Sequence, residues 1–288
     1  MRKIPFVTVD VFTDRRFGGN PLAVFPDARG LSDAEMQSLA AEFNLSETTF
    51  VLPPGDPANT ARVRIFNRTA EMPFAGHPNV GTGFVLGQQG RARDGVLRFE
   101  ELAGLVEVVL DQDGATIAAP QPLTLGATFP AAPIAACASI AAVEVLLGAH
   151  PPILAGMGND FIIAEVTPSA LTRAAPDIAA FRQARDATGH GGRMALLLYA
   201  RDGDDLRARM FAPLSGTPED PATGSANVAL GALLLSLSDA PTLRIDVIQG
   251  VEMGRPSLLR IAAQRAPDGI RATVGGGCIE VLRGEALV

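Results

Sequence analysis

Lysine is nearly missing from this chain: among its 24 lysine and arginine residues, Lys3 is the only lysine. It stands at the start of an apparent first strand, a poor place for a Schiff-base residue, so pyridoxal-phosphate and lysine-aldolase chemistry are excluded. A bias toward GC-rich codons explains the same composition, and the exclusion holds either way. No Gly-Lys pair occurs, which removes the Walker-type phosphate loop. The three histidines, His77, His150 and His190, lack metal-ligand spacing. Two cysteines, Cys137 and Cys278, make neither a disulfide framework nor a zinc motif. The net charge of −7 comes without any basic cluster, which argues against nucleic acid as a partner. No apolar run approaches the roughly 20 residues of a membrane span, and Asp10 interrupts the opening MRKIPFVTVD where a signal peptide needs an unbroken apolar stretch. A cytoplasmic protein is the expectation.

What is present is a repeat. The loop AGHPNVGTG and the loop TGSANVALG superimpose at one offset of 148, with Gly76 on Gly224, His77 on Ser225, Asn79 on Asn227, Val80 on Val228 and Gly83 on Gly231. RVRIFN precedes the first and RARMFAP the second. Strand, polar loop and helix recurring in both halves predict two similar domains with helix N-termini facing a cleft suited to a small anion. A weaker echo pairs GNPLAV at Gly19 with GNDFII at Gly158, at an offset of 139.

Periodicity places strands at VTVDVFT, PLAVFP, TTFVLP and ARVRIF, and a helix at LSDAEMQSLAAEFN with Ser32 as N-cap and Glu35 as its box partner. A helix from about Pro78 to Gly87 follows, then a meander of VLRFEE, GLVEVVLD and ATIAAP. The first domain is read as 1–120, the Pro- and Ala-rich 121–130 as linker, and 131–277 as the second domain. There the pattern predicts helices near Ser139–Leu147, Asp177–Ala187 and Ser225–Leu235. DFIIAEV, MALLLYA, LRARMFAP, LRIDVIQG, SLLRIAAQ, IRATVGG and CIEVLRG read as its strands. Gly83, Gly87 and Gly231 each weaken an isolated helix by about 1 kcal/mol relative to alanine, which suits helices enclosed by closely passing strands. The fold class is α+β: two pseudo-symmetric domains, each a mostly antiparallel or mixed sheet rolled around a central helix.

The segments GGNPLAVF, NLSETTFV, EMPFAGHP, EDPATGSA and QGVEMGRPS, in this order across almost the whole chain, resemble the PhzF-like phenazine-biosynthesis isomerase family. The resemblance implies the diaminopimelate-epimerase type of fold with catalysis between its two domains, a last strand (about 278–288) that returns to the first domain, and a homodimer. It also implies a cofactor-independent isomerase acting on a small carboxylic acid, with the named family member acting on trans-2,3-dihydro-3-hydroxyanthranilate.

Carried over residue by residue, the family's acid/base glutamate falls on Glu47, and its supporting polar residues on His77, Asp220 and Ser225. By itself Glu47 reads as a turn residue between helix and strand; an apolar surrounding from Phe50, Val51 and Leu52 would raise its pKa toward neutrality. His77, before Pro78, reads as a helix N-cap, and Ser225 as another. Asp220 before Pro221 reads locally as a turn starter. Under the resemblance, Asp220 accepts bonds from a substrate amine or hydroxyl, while Gly76, Gly224 and Ser225 offer amides to the substrate and Asn20 of GGNP supports the site. Relatives in the wider fold use paired cysteines, one in each symmetric loop; FAGHP and EDPATGS contain none, which disfavours a two-base cysteine racemase. Two alternatives stay open: an epimerase or racemase of a small amino or hydroxy acid, and a non-catalytic small-molecule-binding protein.

Overall fold

The structure is a computed structural model describing residues 1–188, 194–203 and 205–288; His190 lies outside the described residues. The chain divides into two compact units, residues 1–118 with 274–288, and residues 119–273.

The first unit contains β1 (Lys3–Val11), β2 (Asn20–Phe25), α1 (Asp33–Phe43), β3 (Thr48–Leu52), β4 (Ala61–Phe66), β5 (Glu71–Met72), α2 (Gly76–Gln88), β6 (Val96–Glu101), β7 (Gly104–Leu110) and β8 (Gly114–Ala118). Its strands pair in the order β1, β2, β3, β4, β6, β7, β8, and a late strand joins β8 back to β1, so the sheet closes as an eight-stranded barrel. Closure leaves no open edge along this ring. The pairs β2–β3 and β4–β6 are parallel, whereas β1–β2, β3–β4, β6–β7, β7–β8 and the pairing of β1 with the late strand are antiparallel.

Helix α2 runs inside this barrel. His77, Val80, Thr82, Val85 and Leu86 are all buried, so the helix has no solvent face. Its glycines mark where strands pass closest. A methyl group on Gly83 would stand 2.5 Å from Val108 Cγ1, and one on Gly81 would meet Leu22 and Val11 at 2.7 Å. On the outside, α1 covers an aromatic cluster in which Phe25 stacks on Phe50 at 4.8 Å and meets Phe43 edge-on at 5.7 Å. The predicted capping box is present: the Ser32 side chain accepts from the Glu35 amide, and Glu35 accepts from the Ser32 amide at 2.7 Å.

The second unit contains β9 (Thr124–Thr128), α3 (Ala131–Cys137), β10 (Val145–Leu146), β11 (Ile153–Gly156), β12 (Asp160–Val166), α4 (Pro168–Arg173), α5 (Ile178–Thr188), β13 (Leu196–Asp202), β14 (Asp205–Ala212), β15 (Thr217–Asp220), α6 (Gly224–Ser236), β16 (Thr242–Gln249) and β17 (Ser257–Ala266). The final strand, β18 (Gly269–Leu287), begins in this unit and ends in the first, where it pairs with β1 from Lys3↔Leu287 to Val11↔Cys278. Helix α6 repeats the enclosure of α2: a methyl on Gly231 would lie 2.5 Å from Ile261 Cγ2. Among the described residues no helix is long and apolar enough to cross a membrane.

Three local readings are corrected. The segment 121–130 is no linker, because β9 lies in it and pairs antiparallel with β11; its prolines flank the strand rather than interrupt it. The Ala-rich helix expected near Ser139–Leu147 lies earlier, as α3. It ends in a Schellman turn with Ser139 at φ 56°, the Ser139 amide bonded to Ala136 O and the Ile140 amide to Ala135 O. IRATVGG and CIEVLRG, read as two strands, are one. The glycines at their junction admit close contacts rather than a turn: a methyl on Gly275 would lie 2.1 Å from Thr116 Oγ1, and one on Gly277 2.9 Å from Thr13 O.

Candidate active site

Glu47 lies in the short link between α1 and β3, which begins at Asn44 in the left-handed conformation, φ 52°. The link is tethered one residue upstream, where Ser46 Oγ donates to Asn20 Oδ1 at 3.3 Å. Asn20 is buried and opens β2, whose parallel pairing with β3 starts at Ala23↔Thr48, so Asn20 precedes the paired residues at the end of the strands where the Glu47 link enters β3. Gly19 makes this possible: it has φ +61°, and a Cβ there would fall 2.3 Å from Val11 O. GGNP thus builds a support for the Glu47 link.

His77 is the second residue of α2, not its N-cap; Ala75 takes that place with extended backbone and no capping side chain. Asn79 instead bonds the carbonyl of the cap residue, its Nδ2 donating to Ala75 O at 3.1 Å. His77 Nε2 lies 3.6 Å from Glu47 Oε2, with the two side chains only 6% and 15% exposed. That separation is just beyond hydrogen-bond reach, and Nε2 has no hydrogen-bond partner among the described residues. Burial drives the imidazole pKa down to about 3, so the ring is neutral and the pair is not a salt bridge. The neutral His77 ring places no positive charge beside the carboxylate.

In the second unit, Asp220 ends β15 and is buried. Thr223, the N-cap of α6, donates its hydroxyl to Asp220 Oδ2. Ser225 is therefore the second residue of the helix, not its cap, and Gly224 the first; their amides precede the first intrahelical bonds. The sequence reading missed Gln249, which ties this loop together. Its Nε2 donates to Asp220 O at 2.7 Å and to Thr223 Oγ1 at 3.3 Å, while its Oε1 accepts from Asn227 Nδ2 at 2.7 Å. Asn227 Nδ2 also reaches Thr223 O at 2.9 Å, the counterpart of the Asn79 bond.

Strand register extends the repeat beyond the two loops. Thr48 and Leu196 pair with Phe66 and Phe211 respectively, and Ala23 and Ile162 pair with that same Thr48 and Leu196, which fixes the 139-residue echo as well. The scaffold is kept in both units. Arg64 grips Glu71 with two bonds of 2.7 and 2.6 Å and lies over Phe66; Arg209 grips Glu219 with two bonds of 2.8 Å and lies over Phe211. The chemistry is not kept. The partner of Glu47 is Ala195, that of His77 is Ser225, and that of Asp220 is Met72.

The cysteines stand apart from these loops. Cys137 ends α3, fully buried, with its thiol pushed up to about 11 by burial, and Cys278 is buried in β18. Among the described residues no group of three or more His, Cys, Asp or Glu is arranged to hold a metal.

Comparison with known proteins fits this architecture. Residues 9–284 match the family model PhzC-PhzF, described as phenazine biosynthesis-like protein. The chain belongs to the PhzC-PhzF family. A relative from Pseudomonas aeruginosa, a trans-2,3-dihydro-3-hydroxyanthranilate isomerase, is 35% identical over 94% of this chain and 95% of its own. The crystal structure of a PhzF-family phenazine biosynthesis protein from Bacillus anthracis superimposes with a TM-score of 0.89 over all of both chains, at 22% identity. A hydroxyproline epimerase from Agrobacterium vitis, covering 99% of this chain and 92% of its own, shares the fold alone, with a TM-score of 0.64 at 13% identity. The fold is accordingly of the diaminopimelate-epimerase type, and the chain is a PhzF-family isomerase.

Proposed function

We propose that this PhzF-family isomerase moves a carbon-bound proton within a small amino- or hydroxy-substituted carboxylic acid, with Glu47 as the acid/base and without a cofactor. The observation that carries the reading is the Glu47–His77 pair: a carboxylate and a buried neutral imidazole 3.6 Å apart. Glu47 takes a proton from one substrate carbon, the C–H electrons move into the adjoining π system, and the double bond shifts. Glu47, now the acid, delivers a proton to a second carbon, and where its carboxyl group exchanges with solvent in between, that proton carries the solvent's label. Nothing is oxidised or reduced, and Glu47 ends as it began. His77 Nε2 steadies Glu47 while the carboxyl group carries the proton.

Asp220, Ser225 and Gly224 are assigned to substrate binding. The carboxylate Asp220 accepts from an amine or hydroxyl, and the first amides of α6 favour a carboxylate. By similarity to the Pseudomonas aeruginosa enzyme, a cyclohexadiene amino acid of the dihydro-hydroxyanthranilate type is the first substrate to try. A paired-cysteine racemase is disfavoured, since Cys137 and Cys278 lie in α3 and β18 rather than in the two repeated loops.

The test is incubation of the protein with such acids in D₂O, following deuterium uptake and chemical conversion together. Conversion with label on a ring carbon, lost in Glu47→Gln, supports the reading. Label at a stereocentre with loss of optical purity favours an epimerase, and ligand binding without exchange or conversion across the panel points to a binding protein.

A further inference from the structure

Strand β6 ends in two adjacent glutamates that face opposite ways, as neighbours on a strand do. Glu100 is saturated: its carboxylate accepts from the Gly55 amide at 2.8 Å, the Asp56 amide at 2.9 Å and Asn59 Nδ2 at 2.8 Å, and these bonds lower its pKa. Glu101 is the opposite case. Among the described residues neither of its buried carboxylate oxygens has a partner in hydrogen-bond geometry, nor has Asn79 Oδ1, and the Asn79 side chain is the polar group that acts on it. Burial pushes the Glu101 carboxyl up to about 8, countered in part by Asn79.

The repeat shows what belongs at this place. Parallel pairing sets Phe99 beside Ala61 in one unit and Val247 beside Leu206 in the other, which aligns β6 with β16 at the 148-residue offset and puts Glu101 on Gln249. Gln249 knots its loop by donating to Asp220 O and Thr223 Oγ1 and accepting from Asn227. Glu101 interacts with Asn79, the counterpart of Asn227. An ionised carboxylate has only acceptors, so it cannot make the donor half of that knot; a carboxylic acid has one of each, like the amide. A single proton supplies one donor, for which the repeat offers Met72 O, the counterpart of Asp220 O; Ala75 has no hydroxyl to match Thr223.

We propose that Glu101 is a positioning residue that works in its acid form, its proton doing in the first unit what the Gln249 amide does in the second: holding the loop that starts α2 and carries His77. The nearby ionisable groups do not take over this role. On α2 there is His77, which is neutral; on β4 there are Arg64, engaged with Glu71 of β5 and with Asp33, and Arg62, whose charge acts on Glu100. On β7 there is Glu107, paired with Arg98 of β6 at 2.9 Å. The protonation of Glu101 stands on the burial of its oxygens and on its place in the repeat, independently of the proposed function. Its effect on turnover rests on the function proposed above.

Infrared titration of the full chain in D₂O tests the first part, with the Glu101→Gln variant as its control. The expected result is one carboxylic-acid carbonyl band at pH 7 that fades with a midpoint near 8 and is absent from Glu101→Gln. ¹⁵N-labelled histidine tests the second part: the His77 ring resonances shift with that midpoint in the wild type and stay fixed in Glu101→Gln. Where exchange activity is found, it falls about tenfold per pH unit above the midpoint in the wild type, and Glu101→Gln abolishes that limb while keeping the neutral-pH rate. A missing acid band at pH 7, or one that survives in Glu101→Gln, overturns the protonation. A band that titrates with no response from His77 overturns the positioning role. Both readouts remain decisive if no substrate turns over, so failure of the proposed function is told apart from failure of this inference.

Discussion

Glu47 and Ala195 hold the same position in the two repeats, each immediately before the strand that pairs with an Arg-bearing neighbour, β3 with β4 and β13 with β14. Two copies of one scaffold have kept the arginine–glutamate clamp and the helix-turn asparagine, while one copy has the carboxylate and the other a methyl group. The proposed catalysis by a single base rests on that asymmetry. Glu47→Gln, which keeps size and removes the proton carrier, is expected to lower proton exchange by about 10²–10⁴-fold with the fold intact, as thermal unfolding of the same sample will show.

The pH dependence of stability has two limbs with opposite signs. His77 is held down at about 3 against an ordinary 6.5, so the unfolded chain binds its proton more readily and stability falls as pH drops below about 6.5. Glu101 is held up at about 8 against 4.5, so the folded chain binds the proton and stability falls as pH rises from about 4.5 through 8. Each limb has a limiting slope of about 1.4 kcal/mol per pH unit. Between 4.5 and 6.5 the two cancel. Denaturant midpoints measured against pH are expected to show a shallower acid limb in His77→Gln, where the lowered carboxyls such as Glu100 still contribute, and to lose the alkaline limb in Glu101→Gln.

Removing one half of the conserved clamp leaves a partly buried charge alone. Arg209 also donates to Ala174 O at 2.6 Å, Leu171 O at 3.0 Å and Thr172 O at 3.4 Å, so Arg209→Met removes the partner of Glu219 and a donor to three carbonyls. The expected loss is about 3–5 kcal/mol by denaturant unfolding, and Arg209→Met with Glu219→Met together is expected to cost less than Arg209→Met alone.

Alanine is a better helix former than glycine, yet Gly83→Ala and Gly231→Ala are expected to destabilise by about 1–3 kcal/mol, because the added methyl meets Val108 or Ile261 at 2.5 Å. Val108→Ala combined with Gly83→Ala is expected to recover part of the loss, and melting temperatures decide it.

Cys137→Ser with Cys278→Ser is expected to retain exchange activity. Inactivity of a correctly folded double variant would return a thiol mechanism to consideration.

Side chains that act on their own neighbourhood were legible in the sequence, and those that act across the chain were not. Ser32 and Glu35 announce α1 because the cap and its partner are three residues apart. The starts of α2 and α6 were misplaced by one or two residues, since Ala75 gives no capping side chain and Thr223 turns its hydroxyl to Asp220 instead. Glu47, His77, Asp220 and Ser225 were found through motifs, but nothing local distinguishes Glu101 from Glu100. The offset of 148 already pairs Glu101 with Gln249, and extending the repeat past the helices would have exposed it. The Ala-rich stretch around Cys137 misled because alanine suits many packings; a left-handed serine, not propensity, decides where α3 stops.

Strand β18 gives the protein an order of assembly. Residues 274–288 close the barrel of the first unit, and the Arg2 and Val288 backbones exchange hydrogen bonds of 2.7 and 2.9 Å. During synthesis the first unit emerges early but lacks the stave between β8 and β1 until the end of this sequence has left the ribosome. The half that carries Glu47 is thus the last to be completed, and a chain cut short after residue 273 keeps the parts of the second unit while leaving the barrel around α2 open.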